Sequence, residues 1–164
     1  INAGQTINRI LGMFETEEQE QVRYRLADTL RWIVSQRLAP KIGGGRYPVV
    51  EVMGSNLRTK ETIILGESEG KNFYDIIEAS TTFGWRTFDT ACLEAYEKGI
   101  LTEDTALLYA SKRGHVSRGI DNIKKTRGEE TSDIVELRMS QTKEPPRPQK
   151  ASGSGPQPFK LKLK

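Results

Sequence analysis

The sequence predicts an α/β fold: two N-terminal helices, a β-hairpin, and then a string of short helices. Three observations carry that reading. Apolar residues near the front recur every three or four positions, and a triple glycine separates two β-rich runs. After residue 72, threonine and asparagine stand just ahead of apolar clusters.

Ile7, Ile10, Leu11 and Phe14 occupy one face of a first helix at i, i+3, i+4 and i+7. Thr16, Glu17, Glu18 and Gln19 read as a capping box that opens a second helix about two residues later. Val22, Leu26, Leu30 and Ile33 extend its apolar stripe. The run 33–42 then leaves the helix as an extended strand. Gly43, Gly44 and Gly45 permit the positive φ angles of a tight turn, and the β-branched run 47–53 returns, with Pro48 near its start. Three glycines can also cradle a phosphate, but no helix N-terminus follows them here. Further on, Asn72 and Asp75 form a cap pair ahead of Ile76, Ile77 and Ala79. Thr87 caps a helix bearing Phe88, Cys92 and Tyr96, closed by Gly99. Thr102 caps another, bearing Ala106, Leu107, Tyr109 and Ala110 and ended by Gly114. A last helix is expected over 115–125.

Charge divides the 164 residues unevenly. The net charge is +3, yet residues 140–164 carry +5, so residues 1–139 carry −2. The basic balance therefore belongs to the tail and gives no hint of nucleic acid for the rest. Five of seven prolines fall between Pro145 and Pro158, so residues 128–164 are expected to form a flexible basic tail. Its end, F-K-L-K-L-K, alternates apolar and basic, a pattern that suits either strand addition or solvation. The remainder divides into a helix-and-hairpin part, 1–55, and a helical subdomain, 56–127. No run approaches the roughly 18 apolar residues of a membrane span, and no signal peptide is visible. With Cys92 as the one cysteine, a reduced cytosolic protein is expected. The start at Ile1 suggests a piece of something longer.

The search for chemistry returns no catalytic, cofactor-binding or metal-ligating residue. Gly66, Gly70 and Lys71 mimic a phosphate loop, but the glycines are one residue too close, Asn72 replaces the hydroxyl residue, and Glu67 and Glu69 repel phosphate. Glu17, Glu18 and Glu20 suit the positive end of a helix dipole, while Glu129, Glu130 and Asp133 look solvated. Glu51, inside an apolar strand, must point outward or find a cation; Arg46 and a partner chain are the candidates. Cys92 reads as a small core residue and His115, alone of its kind, as a surface or capping group. Two binding alternatives remain. Residues 102–125 could form a helix-turn-helix with His115, Ser117 and Arg118 entering a major groove beside Lys112 and Arg113. Or the tail could make the chain an adaptor through its prolines 145–148.

Taken in order, several segments resemble one family, the twitching-motility ATPases of type IV pili within the secretion ATPases. Gln5, Thr6, Ile7, Asn8, Arg9 and Ile10 resemble the helix after the family's histidine box. Residues 19–31 resemble its E-x-x-x-V-R-x-x-L-A-x-x-L helix. Ser35, Gln36, Arg37 and Leu38, then Gly44, Gly45 and Arg46 with Glu51, Val52 and Met53, resemble its hairpin. Residues 76–80, Gly84, Thr87, Phe88 and Asp89, and Gly99, Ile100 and Leu101 with Glu103 and Ala106 follow in the expected order.

The resemblance covers about residues 1–123 and implies the C-terminal part of a RecA-like ATPase domain. It also implies a hexameric parent that hydrolyses ATP with Mg²⁺ to retract pili, an inner-membrane platform protein as partner, no nucleic acid, and a cytoplasmic position peripheral to the inner membrane. The family's Walker A loop, aspartate box, Walker B acid and histidine box lie upstream of such a segment. The chain alone is therefore expected to be inactive and to bind no nucleotide. Two departures stand out. The family's A-[IV]-R-N-L-I-R-E-like segment corresponds here to residues 57–65, without the paired arginines, and the proline-rich tail is atypical. An accessory retraction motor, or a motor of another pilus-like system, fits equally well.

Overall fold

A computed structural model describes residues 1–129 and Thr131. The elements run α1 (Ala3–Leu11), α2 (Thr16–Thr29), β1 (Trp32–Pro40), β2 (Arg46–Gly54), α3 (Leu57–Leu65), α4 (Phe73–Glu78), a 3-10 turn (Thr81–Phe83), α5 (Phe88–Glu97), α6 (Glu103–Tyr109) and α7 (Arg113–Arg127). The tail from residue 132, with Glu130, Asp133 and the alternating 159–164, lies outside the described residues. No helix among them is long and apolar enough to cross a membrane.

The hairpin forms as the glycines predict. Gly43, Gly44 and Gly45 take φ of 83°, 95° and 78°, and the strands pair from Pro40–Arg46 to Trp32–Gly54. The Lys41 N–H bonds the Gly45 carbonyl at 3.1 Å. That phase puts the bonded pairs at Ala39–Tyr47, Arg37–Val49, Ser35–Glu51 and Ile33–Met53. The N–H groups of Val34, Gln36 and Leu38 therefore face away from β2. On the other edge, Val52 exchanges backbone bonds of 2.9 and 3.1 Å with Arg86.

The helix starts correct several expectations. The two front helices are separated by residues 12–15, not two residues, and Phe14 falls in that link, 40% exposed. Thr16 is not a cap. Glu15 holds that position with no side-chain bond, and Gln19 turns back to the Phe14 carbonyl instead. The reciprocal box belongs to α1, where Asn2 and Gln5 bond each other's backbone N–H. Ile33 leaves the α2 stripe because the backbone turns extended at Leu30, and it joins the inner face of β1. Gly114 does not end a helix: α6 stops at Tyr109, and Gly114 lies in the first turn of α7. Asn72, Thr87 and Thr102 do cap as expected, accepting the N–H of Asp75, Thr90 and Thr105.

Two apolar clusters flank the hairpin. The first gathers Ile7, Leu11, Ala27, Ile33, Met53, Ile63, Phe73, Ile77 and Trp85. The second gathers Ala39, Val49, Phe88, Cys92, Leu101, Ala106, Val116 and Ile120. Inner-face residues from opposite ends of the hairpin enter different clusters. Between them lie Ser35, Glu51 and Arg37, the polar middle of the same face.

Candidate functional site

That polar middle is built around a buried carboxylate, Glu51. Strand alternation turns Glu51 inward with Val49 and Met53, leaving it 2% exposed. Its carboxylate accepts the Ala3 N–H at 2.8 Å and the Phe88 N–H as well. Each donor belongs to the first residue of a helix, α1 or α5, where backbone N–H groups lack intrahelical partners. Burial pushes the Glu51 carboxyl above its ordinary range, and the two amides and Arg37 oppose that shift. Arg46, the expected cation, instead reaches the Leu38 carbonyl at 3.4 Å. Arg46 and Glu51 are five positions apart in one strand, so their side chains leave opposite faces.

A second buried carboxylate continues the pattern. Asp89, fully buried in the first turn of α5, accepts the backbone N–H groups of Ser111 and Lys112, which lead into α7. It also accepts the Tyr74 hydroxyl at 2.8 Å, and that hydroxyl lies 3.2 Å from His115 Nδ1. Burial and the neighbouring carboxylate hold the Tyr74 hydroxyl well above its usual titration range. Arg37 spans the gap: it donates to the Tyr109 carbonyl and to Ser111 Oγ at 3.3 Å, with its guanidinium 3.8 Å from the centre of the Phe88 ring. Two acids and one arginine thus hold the starts of α1, α5 and α7 to the hairpin. Backbone amides and the Tyr74 hydroxyl engage both acids, so the arrangement orients helices.

The other residues singled out by sequence fall outside a reactive constellation. Cys92 is buried in the second core, its thiol pushed up to about 11 by burial and then by Asp89. His115, expected at the surface, is half-buried between Tyr74, Glu78 at 3.6 Å and Asp89 at 3.9 Å. In the turn resembling a phosphate loop, two charged groups are already engaged. Glu67 already accepts the Phe73 N–H at the start of α4, and Lys71 pairs with Glu61 at 3.3 Å. The triple-glycine turn leads into a strand, so it offers no helix amides to phosphate either. In the helix pair of the DNA-binding alternative, Val116 and Ile120 are buried in the second core, Lys124 pairs with Glu103 at 2.6 Å, and Arg127 donates to the Glu97 carbonyl. The Glu103 bond raises the Lys124 ammonium above its ordinary value.

Sequence reading passed over α3 and the aromatic cluster at the open end of the hairpin. Asn56, which accepts the Thr59 N–H at 2.8 Å, and Gly66 after Leu65 were the signals for α3.

No family model matches the chain. It is 30% identical over 105 residues to the type IV pilus retraction ATPase PilT of Pseudomonas aeruginosa, a match covering 64% of this chain and 30% of that protein. It is 34% identical over 110 residues to the type IV pilus ATPase PilU of the same organism, covering 66% and 28%. A crystal structure of the pilus retraction motor PilT with bound ADP superposes with a TM-score of 0.58 at 31% identity, over 71% of this chain and 32% of that one. The ATPase DotB of Legionella pneumophila, 17% identical, shares the fold with a TM-score of 0.52 over 65% of this chain and 28% of that one. Neither relatives nor structural neighbours support the DNA-binding alternative. The chain spans about 30% of the length of the curated relatives it matches. By sequence and fold together, the chain is similar to part of the type IV pilus ATPases PilT and PilU.

Proposed function

We propose that the chain is the C-terminal portion of a pilus-motor ATPase, the part that finishes a RecA-like sheet and carries a helical subdomain. Residues 1–55 end the ATPase domain in this reading, and 56–127 form the subdomain. The observation that carries it is the unpartnered side of β1. Trp32, Val34 and Leu38 are 58%, 64% and 46% exposed, while Ile33 and Ala39 on the opposite face are buried. A strand that carries apolar residues on both faces, with an open hydrogen-bonding edge, suits the inside of a larger sheet. The remaining length of a PilT-like parent would supply that sheet, together with the phosphate loop and acids that bind ATP and Mg²⁺. The parent would work as a hexamer at the cytoplasmic side of the inner membrane, against a platform protein, without nucleic acid. Retraction and accessory retraction are both open to it, since Leu57–Leu65 lacks the paired arginines of the retraction segment.

Two measurements test the reading. The purified 164-residue chain should turn over ATP at background, and robust turnover would place the chemistry within it. A chimera in which this chain replaces the matching portion of PilT should hydrolyse ATP well above the remainder of PilT alone. A folded chimera no more active than that remainder would refute the assignment.

A further inference from the structure

His115 is the chain's one histidine, and the first turn of α7 holds it against α4. Its ring meets three groups. Nδ1 lies 3.2 Å from the Tyr74 hydroxyl and 3.9 Å from Asp89, and Nε2 lies 3.6 Å from Glu78. Tyr74 and Glu78 stand one turn apart on α4, and Asp89 belongs to α5.

Counting hydrogens assigns each ring nitrogen a role. An ionised carboxylate only accepts, so the Tyr74 hydroxyl directs its single hydrogen to Asp89 at 2.8 Å. Burial and Asp89 keep that hydrogen on the phenol. Toward His115 the phenol then presents a lone pair, and Nδ1 must be the nitrogen that carries hydrogen. In the neutral ring this leaves the Nε2 lone pair aimed at the Glu78 carboxylate, an acceptor facing an acceptor. A proton on Nε2 turns the same contact into an ion pair. We propose that His115 is a proton-operated latch between α7 and α4, donating to Tyr74 in both charge states and clasping Glu78 only when Nε2 is protonated.

The latch joins the two cores. α4 packs into the first through Phe73, Ile76 and Ile77, and α7 into the second through Val116 and Ile120. Charges around the ring act both ways. Glu78, buried Asp89 and Asp75 favour the imidazolium. The positive start of α7 opposes it, as do Lys112, Arg113 and Arg118 around that start and Arg37 of β1 beside Ser111. Lys112 is itself engaged, 3.3 Å from Asp75 and 3.6 Å from the centre of the Tyr74 ring. The clasp on Glu78 needs a charged imidazole and an ionised carboxylate together. It is therefore present in mildly acidic solution and is lost as rising pH removes the Nε2 proton.

With one histidine in the sequence, the imidazole nitrogens of the 164-residue chain give a single pair of nitrogen-15 signals. At about pH 8.5 these should show a neutral ring protonated on Nδ1. A double-mutant cycle then tests the clasp. Glu78→Gln should raise the unfolding equilibrium constant about two- to fivefold more at about pH 5.5 than at about pH 8.5. His115→Asn keeps an N–H for Tyr74 but takes no charge, and in that background Glu78→Gln should act equally at both pH values. A neutral ring protonated on Nε2, or a Glu78→Gln effect in the parent that ignores pH, overturns the proposal. So does a pH-dependent effect that persists in the His115→Asn background, which would assign the titration to Asp75 or Asp89.

Discussion

The two cores on either side of the hairpin are built by different means. The second is nearly local: α5, α6 and α7 follow one another within residues 88–127, and the hairpin adds buried Ala39 and Val49 with half-buried Tyr47. The first draws on residues from Ala3 to Trp85, so it closes only after both strands and four helices are in place. Between them, the polar belt of Ser35, Glu51 and Arg37 keeps the apolar clusters from merging. The belt persists because its charges are matched to helix starts, which bring backbone donors no side-chain pairing would supply. The hairpin is thus a spine with two dry ends and a wired middle, and its middle sets where the helices begin.

Four substitutions would break or sharpen this contrast. Phe88→Ala should cost about 3–5 kcal/mol, because it empties the centre of the local core and removes the ring beneath Arg37. Urea unfolding followed by far-UV circular dichroism measures it, and a cost under about 1 kcal/mol would mean this core is not the stable one. Gly54→Ala should cost about 1–3 kcal/mol in the dispersed core, since the added methyl collides with Trp85. Its signature is a shifted tryptophan emission together with a lower unfolding midpoint.

The belt is tested by pH. Burial raises the Glu51 carboxyl above its unfolded value of 4.5, so folding binds its proton more tightly than the unfolded chain does. The stability this lends is fully present below 4.5 and is lost as pH rises through the higher folded value. Glu51→Gln keeps an acceptor for the Ala3 and Phe88 amides and removes the titration. The variant should therefore gain on the parent as pH rises from 4.5 toward neutrality, and parallel stability–pH curves would contradict the assignment. The smallest expected effect is at a helix start in the first core. Asn56→Ala removes the bond to the Thr59 N–H and should cost about 1 kcal/mol, read as a midpoint shift with unchanged denaturant slope.

How much of this was legible in the sequence follows the same division. The hairpin was legible because glycine alone among residues tolerates three successive positive φ angles, and β-branched runs flank them. The local core was legible through its caps: Thr87 and Thr102 bond amides three residues on, an interaction within reach of sequence spacing. α3 was not, because its buried face includes Thr59 and Thr62 while Leu57 and Leu65 face water, which inverts the usual pattern. Glu51 was recognised as needing a partner, and the parity of its strand already excluded Arg46. Its true donors, 48 and 37 positions away on the backbone, leave no mark in residue types. The same distance hid the link from Asp89 through Tyr74 to His115.

The hairpin's two edges also differ in how they are guarded. On β2, Pro48 offers no N–H, Arg86 bonds Val52, and the Arg86 side chain takes the Val50 carbonyl at 3.1 Å. On β1, the outward N–H groups of Val34, Gln36 and Leu38 have no such shield. Handled by itself at high concentration, the chain should therefore scatter light and seed fibrils by recruiting β1 to β1. Placing a lysine at Val34 should lengthen the lag before turbidity while leaving both interiors untouched.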